Sequence, residues 1–253
     1  MNITLQNISY NYGNTEALKN VSLEIAKGEI ISLIGPNGSG KSTLIKTINR
    51  ILCPREGTVY INGTEQKRIK LRKLSKLVGY VGQSPNNKIP SSVFETVLLG
   101  RRPYVNWKLG EKDKTVVNEL IARMNLDDIA LKYVNELSGG EQQKVFITRA
   151  LAQETEYLLI DEPTNNLDLK HQVEALDIIR SFVRERNIGA VIAIHDLNLA
   201  ARYSDKAVLM KEGKIIETGK TEEILTKSNI RKIFETEVDV VNNDGILHFI
   251  PYV

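Results

Sequence analysis

The sequence predicts an α/β fold: a core of buried strands and helices, a small antiparallel β subdomain beside it, and an inserted helical subdomain. Three observations carry this expectation. Short apolar runs of the kind that form buried strands recur at 30–34, 157–161 and 189–195. Segments with strand alternation and turn signals lie around the first of them, at 2–9, 21–25 and 57–63. Between about 93 and 152 the apolar spacing changes to that of helices.

Residues 2–9 alternate loosely and read as a half-buried strand, and Tyr10-Asn11-Tyr12-Gly13-Asn14 as a turn carrying two aromatics. Residues 21–25 alternate cleanly, so one face of that strand is wet. Lys27-Gly28-Glu29 turns the chain into the apolar run 30–34. The run leads into Gly35-Pro36-Asn37-Gly38-Ser39-Gly40-Lys41-Ser42-Thr43, which matches the phosphate-binding loop G-x-x-x-x-G-K-[S/T]. Residues 43–48 then read as a helix, which completes the strand–loop–helix context that the motif requires. Gly35, Gly38 and Gly40 let the backbone turn tightly and aim its N–H groups at one phosphate chain. The positive helix N-terminus adds to that nest. Lys41 is set to reach the outer phosphates, and the Ser42 hydroxyl to ligate magnesium.

Residues 57–63 form a further short strand, and 77–82 a second core strand ending at Gln83. The stretch 84–92 has loop composition and reads as a hinge. Helical faces follow: Val93, Val97 and Leu98; then Val116, Leu120, Ile121 and Met124; then Val145, Ala150 and Leu151. The core resumes at 157–161. Residues 169–186 place Val173, Leu176, Ile179 and Val183 at helical spacing, and 189–195 is a buried strand. Residues 207–210 and 214–217 flank Glu212-Gly213 as a hairpin, and the tail has strand-like 238–241 and 246–250 around Asn243-Asp244-Gly245. The domain expectation is therefore 1–83 with 153–225 as the α/β core and its antiparallel β subdomain. Residues 84–152 are the hinge and helical subdomain, and 226–253 a short tail with two strands.

Composition narrows the function classes. A chain of 253 residues, 42% hydrophobic and 26% charged, has the balance of a soluble globular protein. The net charge of +3 is interspersed rather than blocked, so it gives no argument for nucleic acid. The single cysteine, Cys53, excludes an internal disulfide and reads as a small packed hydrophobe. The first residues lack the basic and apolar regions of a signal peptide, and no apolar run approaches the roughly 20 residues that span a bilayer. The expectation is a soluble chain whose membrane role, if it has one, comes through a partner.

Several further residues bear on chemistry. Asp161 and Glu162 end an apolar strand, the end at which ligands bind in parallel sheets. Asp161 fits the magnesium side, through water, and Glu162 fits the group that polarises an attacking water. Leu137-Ser138-Gly139-Gly140-Glu141 opens a helix with Ser138 as cap and Glu141 as its capping-box partner. A capped helix alone does not need two glycines; they clear side chains from the helix mouth so that an anion can approach. His195 ends the last core strand, beside the level of Asp161, which points to the γ-phosphate. Gln83 stands where it can touch the metal or the attacking water.

These motifs, with Leu158-Leu159-Ile160-Asp161-Glu162-Pro163-Thr164, Asn166-Leu167-Asp168 and His195-Asp196, occur in the order found in ATP-binding cassette (ABC) ATPases, which the chain resembles over nearly its whole length. The resemblance implies a P-loop NTPase core of RecA-like type, with ATP and Mg2+ as ligands. It implies that Tyr12 stacks on adenine, that Glu162 is the catalytic base, and that His195 switches on the γ-phosphate. It also makes Leu137, Ser138, Gly139, Gly140 and Glu141 a signature motif facing the ATP of an opposite subunit, with Asp168 coupling the two sites. Lys144, Thr148 and Gly82 depart from common residues of the family without disturbing the motifs. The implied partners are a second copy of the chain, integral membrane permease subunits and, indirectly, an extracellular solute-binding protein, at the cytoplasmic face of the cell membrane.

Within the family, Leu167-Asp168-Leu169-Lys170-His171-Gln172, the stretch from His195 to Asp205, and Val97-Leu98-Leu99-Gly100-Arg101 with Pro103-Tyr104 resemble importers of iron–siderophore, haem and cobalamin. A plainer reading makes these helix faces, with Arg101 and Arg102 solvated. Importers of other substrates and a soluble cassette of iron–sulfur assembly stand as alternatives. A single cassette without a heptad insertion disfavours the translation and DNA-repair types.

Overall fold

The computed structural model describes residues 1–83, 90–105, 109–165, 167–243 and 245–252. The chain starts with β1 (Asn2–Tyr12) and β2 (Thr15–Ala26), then β3 (Ile30–Ile34), α1 (Lys41–Ile48), β4 (Glu56–Ile61), β5 (Thr64–Glu65), α2 (Leu71–Leu77) and β6 (Val78–Val81). The helical stretch contains α3 (Val93–Leu98), α4 (Glu111–Arg123) and α5 (Gly139–Ala152). Then come β7 (Tyr157–Asp161), α6 (Leu169–Arg186), β8 (Gly189–Ala193), α7 (Leu197–Tyr203), β9 (Lys206–Lys211) and β10 (Lys214–Lys220). The chain closes with α8 (Thr221–Ile224), α9 (Lys227–Phe234), β11 (Val238–Asn243) and β12 (Ile246–Pro251).

Six strands form the main sheet in the order β10-β9-β3-β8-β7-β6, parallel from β9 to β6 with β10 antiparallel at the edge. A second sheet, β2-β1-β4-β5, is antiparallel, and β11-β12 is a separate hairpin. Because successive side chains of a strand point to opposite faces, the central strands feed two cores. Ile30, Ile34, Leu158, Ile160 and Ile192 join the core beneath α5 and α6. Ile31, Leu33, Leu159, Val191 and Val208 join the core shared with α1 and the antiparallel sheet. Burial on both faces explains why these strands read as unbroken apolar runs. Each fully buried isoleucine or leucine contributes about 1.5–3 kcal/mol.

The structure departs from the sequence reading at several points. β1 runs through Tyr12, so the turn is confined to Gly13 and Asn14. On α4 the buried stripe is Val117, Leu120 and Ile121, with Met124 capping the helix; Val116 is only half-buried. Helices α2, α7, α8 and α9 are short and gave too few turns for the periodicity to register. As a result, the tail beyond 225 carries α9 as well as its two strands. Cys53 is exposed, not packed. Arg101 is not solvated: it is 2% exposed and donates to Asp113 (3.0 Å), Ala152 O (2.8 Å) and Glu154 (2.6 Å). Arg102, in contrast, is exposed. Most of the expected hinge, 84–89, lies outside the described residues, as do Asn166 and Asp244.

Candidate functional site

The phosphate loop joins β3 to α1 at the carboxyl end of the parallel strands. Gly40 caps α1 in the left-handed region, at φ 104, and a Cβ there would come within 2.7 Å of Ala17 O. No side chain caps α1, so its leading N–H groups stay open to an anion. The Ser39 hydroxyl lies at the same mouth, buried and without a hydrogen-bond partner among the described residues, as a phosphate donor would be. Lys41 folds back, and its Nζ donates to Gly35 O (2.8 Å) and Pro36 O (3.1 Å). Burial pushes its ammonium below the ordinary lysine range, while Glu162 and Asp161 pull the other way.

A cleft of about 430 Å³ opens over this loop. Its walls include Tyr12, Asn37, Gly38, Lys41, Ser42, Gln83 and Glu162. Tyr12 is 48% exposed and meets Tyr10 edge-on, with ring centroids 4.9 Å apart, so a ring face is available to an incoming flat group. Thr15, Glu16 and Ala17 also line the cleft. Sequence reasoning missed these three, because only the β1–β2 hairpin brings them over the loop.

The acid side of the cleft is built by strand ends. Ser42 Oγ donates to Asp161 Oδ1 at 2.8 Å, joining residues 119 positions apart. Burial raises the Asp161 carboxyl above its ordinary range, although the Ser42 hydroxyl opposes this. Gln83 Nε2 stands 3.4 Å from Ser42 Oγ, at the long end of hydrogen bonding; turning the amide over presents its oxygen instead. Hydroxyl, carboxylate and amide are the hard oxygen donors that magnesium takes, with substrate phosphates completing its shell. These residues therefore fit Mg2+. Among the described residues no three His, Cys, Asp or Glu side chains gather as a separate metal cage.

Glu162 sits just past β7 with φ 55, an uncommon conformation for a residue with a side chain. Its Oε1 meets His195 Nε2 at 2.5 Å, and Asn165 Nδ2 donates to its Oε2. Two neighbours thus fix both carboxylate oxygens at the cleft. The sequence reading passed over Asn165. A short amide three residues beyond an acid, in a turn, is a signal that could have found it.

Ser138 to Glu141 lie elsewhere: among the described residues none of 137–141 lines the cleft. Ser138 caps α5 with a full capping box. Glu141 accepts from the Ser138 backbone N–H (2.9 Å) and hydroxyl (2.7 Å), and these bonds hold its carboxyl below the ordinary range. The two glycines differ. A Cβ at Gly139 would meet nothing within 4 Å, whereas one at Gly140 would stand 2.6 Å from the His171 ring. Asp168 caps α6 by accepting from His171 N at 2.9 Å, and it also meets His171 Nδ1 at 2.7 Å.

A family model described as "ABC transporter" matches residues 18–165. The chain is 42% identical to an uncharacterized ABC transporter ATP-binding protein of Methanocaldococcus jannaschii, covering 99% of this chain and 98% of that one. It is 37% identical to the petrobactin import ATP-binding protein YclP of Bacillus subtilis, covering 96% of each. A solved structure described as an inward-facing conformation of an ABC transporter assigned to the metal-chelate type aligns with a TM-score of 0.86 and 27% identity. That alignment covers 100% of this chain and 97% of the other.

Proposed function

The chain belongs to the ABC transporter family, as an ATP-binding subunit with the family's ATPase fold, and from that premise we propose that it drives import of a metal chelate, of the iron–siderophore kind, through partner permease subunits. The observation that carries the reading is the divided site. Lys41, Ser42, Gln83 and Glu162 line one cleft, with Asp161 hydrogen-bonded to Ser42 just behind it, while the signature mouth at Ser138 lies off it. Two such chains paired head to tail supply each cleft with the missing half.

In that pair the phosphate chain of ATP lies on the open N-terminus of α1, and Lys41 turns from its own loop carbonyls to the outer phosphates. Tyr12 stacks on the base. Ser42, Asp161 and Gln83 would hold Mg2+, which when bound would neutralise charge on the phosphates. Glu162, fixed by His195 and Asn165, accepts a proton from the attacking water. Closure of the pair moves the helical subdomains, and hydrolysis reopens it. No helix among the described residues is long and apolar enough to cross a membrane. From the likeness to transporter subunits, partner permeases supply the path, with this chain peripheral at the cytoplasmic face. The substrate assignment rests on the relatives named for petrobactin and metal-chelate transport.

Glu162→Gln tests the reading. The variant is expected to bind ATP, to form a stable dimer with ATP and Mg2+ in light scattering, and to lose about 10²–10⁴-fold of turnover. Near-normal turnover removes Glu162 from the base role, and an ATP-bound monomer refutes the divided site. The chelate is tested by purifying the chain from membranes with its partners and identifying the small molecule held by the associated solute-binding protein. Recovery with soluble partners alone would reject transport.

A further inference from the structure

His171 stands where the start of α6 meets the mouth of α5. Its backbone N–H and its Nδ1 both engage Asp168 Oδ1, at 2.9 and 2.7 Å. Its ring lies over Gly140, so closely that a single Cβ there would sit 2.6 Å from Cγ and Cδ2. Gly139, the other glycine of the mouth, faces open space. The loop leading to Asp168 is pinned by the next residue, for Gln172 Nε2 donates to Leu167 O (2.9 Å) and Thr164 O (3.3 Å). Leu137, at the start of the signature, is likewise held by Gln142 Nε2 at 2.9 Å. Two hydrogen-bonded segments, one on the core and one on the helical subdomain, therefore meet at this imidazole.

We propose that His171 is a positioning residue that sets the signature mouth of α5 from the state of the Asp168 loop within the same chain. The two glycines then have separate purposes. Gly139 leaves the mouth open to an incoming phosphate, and Gly140 leaves room for the His171 ring. When a second chain presses on the Asp168 loop, Asp168 moves its hydrogen-bonded imidazole. The ring packs against Gly140 with no room for a side chain between them, so the mouth turns with it. Each chain's signature is in this way aimed at the opposite ATP only when its own Asp168 loop is engaged. A displacement on the order of 1 Å at such a contact is enough to change turnover by up to about 100-fold.

The inference rests on the divided-site reading, so its test separates the two. His171→Ala and His171→Asn are made in the full chain, alone and combined with Glu162→Gln. The asparagine amide reaches the Nδ1 position and keeps the bond to Asp168 without the full ring. Affinity of the isolated chain for a fluorescent ATP analogue should stay within about twofold of wild type, because the phosphate loop is untouched. Turnover at saturating ATP should fall about tenfold in His171→Ala and recover in part in His171→Asn. The ATP-driven dimer of His171→Ala/Glu162→Gln should be correspondingly weaker than that of Glu162→Gln. Asp168→Ala/His171→Ala should be no slower than the slower single variant, since both act along one path. If Glu162→Gln dimerises and His171→Ala leaves both turnover and dimer affinity unchanged, the positioning role is overturned. If Glu162→Gln itself never dimerises, the divided site fails, and the coupling fails with it.

Discussion

Arg101→Leu probes how the helical subdomain is held. Arg101 is 2% exposed and Asp113 9%, so the 3.0 Å ion pair between them is out of water. The same guanidinium satisfies Ala152 O at the end of α5, reaches Glu154, and lies 4.2 Å over the Tyr104 ring. Leucine fills much of the space but leaves Asp113 charged and Ala152 O unsatisfied. Breaking a buried pair by removing one partner costs about 3–5 kcal/mol. The Glu154 side adds little: its side chain is 31% exposed and keeps Arg186 at 3.3 Å. The expected loss is about 3–4 kcal/mol, a drop in Tm of roughly 10 °C for a chain of this size. Urea unfolding followed by circular dichroism measures it, with exposed Arg102→Leu as the control expected to change stability by less than about 0.5 kcal/mol. Arg101→Leu/Asp113→Asn should regain roughly half of the loss, because the amide removes the unpaired charge and can still accept from Gly110 N.

The pH dependence has a definite sign. Burial works against the Asp113 charge, yet Arg101 and Gly110 N–H outweigh it and hold the carboxyl below its ordinary 3.8. A depressed carboxyl contributes stability that is present in full above the unfolded value and is lost as pH falls through the folded one. The wild-type contribution should therefore be constant near neutrality and fall only in acid, below about pH 4. In Arg101→Leu, burial without the guanidinium raises the Asp113 carboxyl, so the gap between the two should begin to close at a pH above that window. A loss under about 1 kcal/mol, or a double variant no more stable than Arg101→Leu, would refute the reasoning.

Lys41→Ala should weaken nucleotide binding about 10–100-fold, since a charge-assisted hydrogen bond contributes about 1.5–3 kcal/mol; unchanged affinity in a fluorescence titration would count against the phosphate-loop assignment. Tyr12→Ala should lower affinity for ATP by about 1–3 kcal/mol while leaving that for tripolyphosphate, which has no base, unaltered. Equal losses for both ligands would show that Tyr12 supports the loop rather than the base.

Sequence alone determined the local parts. The phosphate loop, the capped mouth at Ser138 and the Asp161-Glu162 strand end are each written within about ten consecutive residues, where spacing fixes backbone geometry. The long central strands were equally legible, because burial on both faces leaves an unbroken apolar run. Short helices such as α2 and α7 were not, since two turns give periodicity too little to act on. Tertiary structure alone decided which distant groups meet. It brings Ser42 to Asp161, sets Gln83 3.4 Å from Ser42, and lays the β1–β2 hairpin over the loop. It also withdrew Arg101 from the solvent that its charge would have suggested, and set the His171 ring over Gly140. Neither outcome has a local signal. Whether a charge is buried, or which glycine a ring covers, depends on the partner that packing delivers from elsewhere in the chain.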